Sequence, residues 1–485
     1  MATTALALAP GVGQAQDALP APVRAALKSA GIPDTALGVA VIEPGGRPVL
    51  LHNAQQPMNP ASVMKVVTTY AALDILGPAY TWRTDAYADG PVQAGRLNGN
   101  LVLKGGGDPR LTMENLWMLL RDLRARGLRD ISGDLVIDRS YFQIDDLDPG
   151  QFDGEPTRPY NAGADALLLN FRAVRLTFVP DPQGRTVRIL SEPPLPEFGI
   201  VSRLDINDGP CDSWPEKPVA DLVRYTLTFE GSYPLSCGEK TRHFMLLPPL
   251  DYARGLFDHL WRGLGGSFSG RARYDVLPSG AQWLGAIDSA PPAEIVRDIN
   301  KNSNNVMARQ VFLTLGSSVS VPAMADKARE AVFRWLDVKG IPAPELSLEN
   351  GSGLSRTERI APVTLARLLE NAWLSPLSAE FVSSLPLAGV DGTLKRRLSG
   401  TSAAGRAHLK TGYLDTVRGI AGYVHGADGR VLVVVSLINH PRARDAVGVQ
   451  EAVVGWALDA VNQRRCCIGM QRATPKSQSE SRTPP

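Results

Sequence analysis

The strongest constraint on the fold is that the two ends of the chain read alike. Near the N-terminus, "LGVAVIE" and "PVLLHN" are apolar runs joined by "PGGR", a turn rich in Pro and Gly, which is a β-hairpin pattern. Near the C-terminus, "VRGIAGYVHGADGRVLVVVSLINH" repeats that pattern around Gly426-Ala427-Asp428-Gly429. Residues 20–32 read as a short helix before the first hairpin, and "NPASVMKVVTTYAALDILGP" (59–78) reads as a buried helix after it. "RDAVGVQEAVVGWALDAVNQ" reads as a terminal helix. Hairpin and helix at both ends predict one antiparallel sheet built from both ends of the chain and packed by helices, an α/β (α+β) fold.

The middle differs. From about Trp82 to Leu284, short β-like runs such as "LNGNLVLKGGG", "ISGDLVID", "TVRILSE" and "VRYTLTFEG" are punctuated by turn residues. One helical stretch follows them, "DYARGLFDHLWRGLG". No repeat of fixed period appears. The expected organisation is a domain made of residues 20–81 and 285–465, interrupted by a large, mainly β insertion at 82–284 that forms two nested domains. Residues 466–485 are polar and rich in Pro and Ser, so a disordered tail is expected there. Residues 1–19 end in small residues like a secretory signal but lack a positive n-region, and are read as the remnant of a signal peptide.

Composition excludes several classes. A formal charge of +2 argues against nucleic acid and against a polybasic membrane surface. No uninterrupted apolar run is long enough for a transmembrane segment. The six histidines show no ligand spacing, so neither a catalytic metal nor a cofactor is expected. Cys211 and Cys237 lie in a polar, turn-rich stretch; in an exported protein they are expected to form a disulfide, the alternative being two free thiols in the cytosol.

Lys65 is the only charged residue between Arg47 and Asp74, inside an otherwise apolar helix and three residues after Ser62. Asn59 reads as the N-cap and Pro60 as the first helical residue. A helix start offers unpaired N–H groups and a partial positive charge, so a serine there has an oxyanion donor at hand. A lysine in that field, with apolar flanks, loses its proton more easily and can act as base toward the serine hydroxyl. Taken singly, Ser-x-x-Lys is read more readily as an edge lysine that snorkels to water. Ser303-Asn304-Asn305 falls between two helical stretches, where a Ser-x-Asn turn presents a hydroxyl and an amide together, although capping alone would explain it. Lys410-Thr411-Gly412 opens a β-rich run, where Lys and Thr could hold a carboxylate and Gly would let a ligand reach the backbone. The N–H of Tyr413 could complete an oxyanion hole.

Together, in this order, the three motifs are those of penicillin-recognising serine enzymes. With Ser303 placed 241 positions after Ser62, the chain resembles the class C low-molecular-mass penicillin-binding proteins of the penicillin-binding protein 4 type, the D-alanyl-D-alanine carboxypeptidase/endopeptidase family (peptidase family S13). "GGGDPRLT", "GDLVIDRSYF", "ENGSGLSR" and "LPLAGVDGTLKRRL" are similar to segments of the same family. The resemblance implies a serine β-lactamase/transpeptidase-like domain in an exported, periplasmic hydrolase that acts on peptidoglycan stem peptides and is acylated covalently by β-lactam antibiotics. It implies Ser62 as nucleophile, Lys65 as base, Ser303 and Lys410 in proton transfer and Asn305 on the acyl side-chain amide. Lys410 and Thr411 would hold the terminal carboxylate, with Gly412 and Tyr413 beside the substrate. Tyr413 departs from the Thr or Ser more common after Lys-Thr-Gly, and Asn350 from the commoner Asp. A β-lactamase, or a non-enzymatic penicillin-binding sensor or scaffold, would carry the same motifs.

Overall fold

The turn Glu43-Pro44-Gly45-Gly46 shows how local chemistry starts this fold. Gly46 N–H donates to the Glu43 carbonyl at 2.8 Å, and Gly45 has φ of 69°. Pro at the second position and a left-handed Gly at the third are what a type II turn requires. The strands it joins, Leu37–Ile42 and Pro48–His52, pair antiparallel. This is a computed structural model, and it describes residues 18–144 and 148–463. The expectations for the first 17 residues and for residues 466–485 lie outside the described residues.

The chain divides into two units. The first takes the described residues up to Val63, Ala343–Ser347, and those from Glu358 on. Its sheet has five strands, ordered Ala407–Leu414, Val417–His425, Val431–Asn439, Leu37–Ile42, Pro48–His52, with every pairing antiparallel. The two ends of the chain therefore meet where the Leu37–Ile42 strand lies against Val431–Asn439. Both strands are buried almost end to end rather than alternating, because both faces of the sheet are covered. On one face, Val39, Val41, Val434 and Ile438 share a core with Val23 and Leu27 of helix Ala21–Ala30 and Val453 and Leu458 of helix Val447–Gln463. On the other lies helix Pro362–Leu374, whose Leu369 carbonyl accepts from the Tyr423 hydroxyl at 2.8 Å. Each large aliphatic side chain buried this way contributes about 1.5–3 kcal/mol.

The second unit takes Met64–Pro342 and Leu348–Thr357. Helices Lys65–Ile75, Pro292–Asn302, Asn305–Gly316 and Ala325–Val338 pack together in it. Trp335 locks two of them: its ring meets Tyr70 edge-on at 5.2 Å and its Nε1 donates to Asp74 at 2.7 Å. The remainder holds sheets of six, five and four strands. Cys211 and Cys237 are joined by a disulfide at the six-stranded sheet, with Cα atoms 4.9 Å apart. This β-rich stretch contains the helix Pro249–Gly263 and a second one, Met113–Ala125, absent from the sequence expectation. Its signals are present in the chain: Thr112 and Asn115 form a capping box, and Leu116, Leu119, Leu120 and Leu123 make one buried stripe. Among the described residues, no helix is long and apolar enough to cross a membrane.

Candidate active site

In the first unit, the segment that carries Ser62 is fixed before any helix begins. Asn59 N–H donates to Asn439 Oδ1 at 2.8 Å, and Asn439 Nδ2 donates back to the Asn59 carbonyl at 2.9 Å. The Asn59 side chain accepts from Ala61 N–H at 2.8 Å, and Ala61 sits in the left-handed region with φ of 47°. This corrects the expected helix start at Pro60. A left-handed residue cannot propagate a right-handed helix, so a 3-10 turn runs over Ala61–Met64 and the α-helix opens at Lys65. Ser62 lies half-buried on that turn.

The Lys-Thr-Gly motif lies within the edge strand Ala407–Leu414 rather than at its start. Gly412 lets this strand approach the serine segment: a Cβ there would stand 2.5 Å from the Pro60 carbonyl oxygen and 3.1 Å from Ser62 N. No residue but Gly fits. The Lys410 side chain is fully buried and its Nζ donates to the Thr411 carbonyl at 2.8 Å. Burial pushes its ammonium down to about 7. Thr411 Oγ1 lies 2.7 Å from Thr393 Oγ1. Thr393 belongs to "LPLAGVDGTLKRRL", and sequence reasoning gave it no role. Tyr413 is 43% exposed.

In the second unit, Lys65 is fully buried at the first position of its α-helix. Its Nζ donates to Asn305 Oδ1 at 2.6 Å and to the Ser352 carbonyl. A buried ammonium needs such acceptors, since desolvation without them is prohibitive. Asn305 begins the helix Asn305–Gly316, capped by Asn304, whose side chain accepts from Met307 N–H at 3.0 Å. Ser303 ends the preceding helix with φ of 56°, so the Ser-x-Asn turn reverses the chain between two helices as its composition predicts. Asn300 Nδ2 donates to Thr69 Oγ1 at 3.1 Å, which ties that preceding helix to the Lys65 helix.

Ser352 is the residue that sequence reasoning missed. Its carbonyl is aimed at Lys65 by a turn that Asn350 organises. Asn350 Oδ1 accepts from Ser352 N–H at 2.9 Å and from Ser352 Oγ at 2.6 Å, and its Nδ2 donates to the Leu354 carbonyl at 3.1 Å. An aspartate could not supply that last bond. Thr68 Oγ1 donates to the Gly351 carbonyl at 2.7 Å. The available signal was the Asn-Gly turn dipeptide in "ENGSGLSR".

The fold, with its helix-covered antiparallel sheet edged by a Lys-Thr-Gly strand, is of the penicillin-binding, β-lactamase/transpeptidase-like class. The crystal structure of penicillin binding protein 4 (dacB) from Haemophilus influenzae matches it with a TM-score of 0.73 at 25% identity, covering 91% of this chain and 99% of that one. The D-Ala-D-Ala carboxypeptidase 3 (S13) family model matches residues 20–460, and the chain belongs to that family of hydrolases. Among relatives, D-alanyl-D-alanine carboxypeptidase DacB of Haemophilus influenzae is 30% identical over 80% of this chain and 82% of its own length. The D-alanyl-D-alanine carboxypeptidase of Actinomadura sp. (strain R39) is 27% identical over 92% of this chain and 86% of its own.

Proposed function

We propose that this chain cleaves D-Ala-D-Ala and D-Ala–diaminopimelate bonds of peptidoglycan peptides through an acyl-enzyme on Ser62. Ser62 Oγ attacks the D-alanyl carbonyl while Lys65 takes its proton. The C–N bond then breaks, and Ser303 with Lys410 returns a proton to the leaving amine. Asn305 orients the acyl side-chain amide, and Lys410 with Thr411 holds the carboxylate of the leaving residue. The N–H groups of Ser62 and Tyr413 stabilise the oxyanion, each worth roughly a hundredfold or more in rate. Water hydrolyses the ester.

The observation that carries this reading is the full burial of Lys65 with its Nζ held by Asn305 Oδ1 and the Ser352 carbonyl. These two acceptors are neutral and position the amine without themselves adding a negative charge that favours its protonated form. We place the catalytic domain at 20–81 and 285–465 and the insertion at 82–284, and assign the enzyme to the periplasm or another exported site. Acylation by β-lactams belongs to the same proposal. A crystal structure of the Haemophilus protein is described as complexed with a β-lactam.

The test is intact-mass spectrometry after incubation with benzylpenicillin. A stoichiometric covalent adduct on the wild type, absent from Ser62→Ala, is expected. No adduct on folded wild type would overturn the assignment of the nucleophile.

A further inference from the structure

Tyr413 stands where a small hydroxyl residue is commoner, and its side chain has no part in the proposed cleavage. Tyr413 and Arg418 are directly opposed across strands Ala407–Leu414 and Val417–His425. The Arg418 guanidinium lies over the Tyr413 ring, 4.1 Å from its centroid. Arg418 Nε donates to the Ala443 carbonyl at 3.3 Å, which braces the guanidinium from behind. Among the described residues, no carboxylate forms an ion pair with Arg418. A second guanidinium, Arg444, interacts with the Tyr413 phenol, with Asp415 and Asp445 as its acidic neighbours. A third, Arg397, is taken up by Glu451 at 3.3 Å.

A stacked arginine on a surface tyrosine contributes only about 0.5–1 kcal/mol and needs no ligand to explain it. Two features go further. Burial, and then the neighbouring Arg397 and Arg444, hold the Arg418 guanidinium below its ordinary value, a cost that a bound anion would offset. And Tyr413 stands on the strand of Lys410 and Thr411, where residues two apart share a face, so Thr411 and Tyr413 point the same way.

We infer that Arg418, held by Tyr413 and flanked by Arg444, binds a second carboxylate on the leaving group, beyond the one that Lys410 and Thr411 hold. This inference rests on the proposed role of Lys410 and Thr411. A departing D-alanine has a single carboxylate and leaves the cluster empty. A diaminopimelyl stem carries more than one, so the cluster favours cleavage of cross-links over trimming of free peptide ends.

The test uses the full chain and three peptides with one acyl part, diacetyl-L-Lys-D-Ala, followed by D-Ala, D-Gln or D-Glu. D-Gln and D-Glu differ only by the extra charge. The wild type should show kcat/KM about tenfold higher for the D-Glu peptide than for the D-Gln peptide, and the ratio should shrink as salt is raised. In Arg418→Met the ratio should fall to near one, and Arg418→Lys should restore part of it. The two peptides report on the same folded fraction, so partial unfolding does not move the ratio. Equal rates for D-Glu and D-Gln in the wild type, with D-Ala still released from the first peptide, would overturn this inference and leave the proposed function standing. No cleavage of any peptide, together with no benzylpenicillin adduct, would overturn both.

Discussion

Lys65 Nζ donates to Asn305 Oδ1 at 2.6 Å, an ammonium bonded to an amide where a carboxylate would fit as well. Asn305→Asp should therefore act on the base rather than on the fold. A carboxylate that close raises a lysine pKa by about 1–3 units, so the neutral fraction near pH 7 drops by about tenfold to a thousandfold. The expected result is benzylpenicillin acylation slowed by that factor and partly recovered as pH rises. A rate equal to wild type at pH 7 would exclude Lys65 as the base.

Lys65→Arg tests the same role from the other side. It keeps the charge, but guanidinium does not deprotonate near neutral pH. Acylation followed by mass spectrometry should fall by orders of magnitude; wild-type kinetics would contradict the mechanism.

Gly412→Ala should separate the Ala407–Leu414 strand from the serine segment. The new methyl would stand 2.5 Å from the Pro60 carbonyl oxygen and 3.1 Å from Ser62 N. Backbone on both sides leaves little room to yield, and the Tyr413 N–H moves with the strand. Loss of that donor should slow acylation roughly a hundredfold. Thermal unfolding measured in parallel separates a displaced strand from an unfolded protein.

Lys410 gives a pH dependence with a definite sign. Burial lowers its ammonium to about 7, so it is charged below that pH and neutral above it. If the cation holds the substrate carboxylate, kcat/KM falls as pH rises through about 7, because kcat/KM follows the free enzyme. Lys410→Arg stays charged over this range and should lack that alkaline limb. A D-Ala release profile that keeps the limb in the variant would assign it to another group.

The Cys211–Cys237 disulfide closes a loop with a sequence separation of 26. A loop of that size should contribute about 3–4 kcal/mol in the chain-entropy account. The double variant Cys211→Ser, Cys237→Ser should unfold at correspondingly lower denaturant concentration while still forming the benzylpenicillin adduct at room temperature. An unchanged unfolding midpoint would contradict the estimate.

The parts of this molecule legible in its sequence are those written in local patterns. Both hairpins, the helices at 21–30 and 447–463 and the reversal at Ser303 follow from periodicity and turn chemistry. So does the burial of Lys65 in an apolar helix. What stayed illegible depends on partners distant in the chain. The helix start moves from Pro60 to Lys65 at a left-handed Ala61, in a segment whose Asn59 is bonded to Asn439, a contact no local window contains. Ser352 offers Lys65 a backbone carbonyl, a group every residue has and no motif can mark. Thr393 gains its place only through the Thr411 hydroxyl it meets.

The Asn59–Asn439 clasp joins positions 380 residues apart. Its strand partner, Val431–Asn439, is the last strand of the sheet in chain order. A chain emerging from the ribosome therefore makes Ser62 well before Asn439 and cannot close this clasp until the residues between them have followed. The β-rich middle is synthesised in the interval. Ser62 therefore goes without this bracing until Asn439 has been made, so a chain terminated before Asn439 would carry the serine without the clasp that fixes its segment.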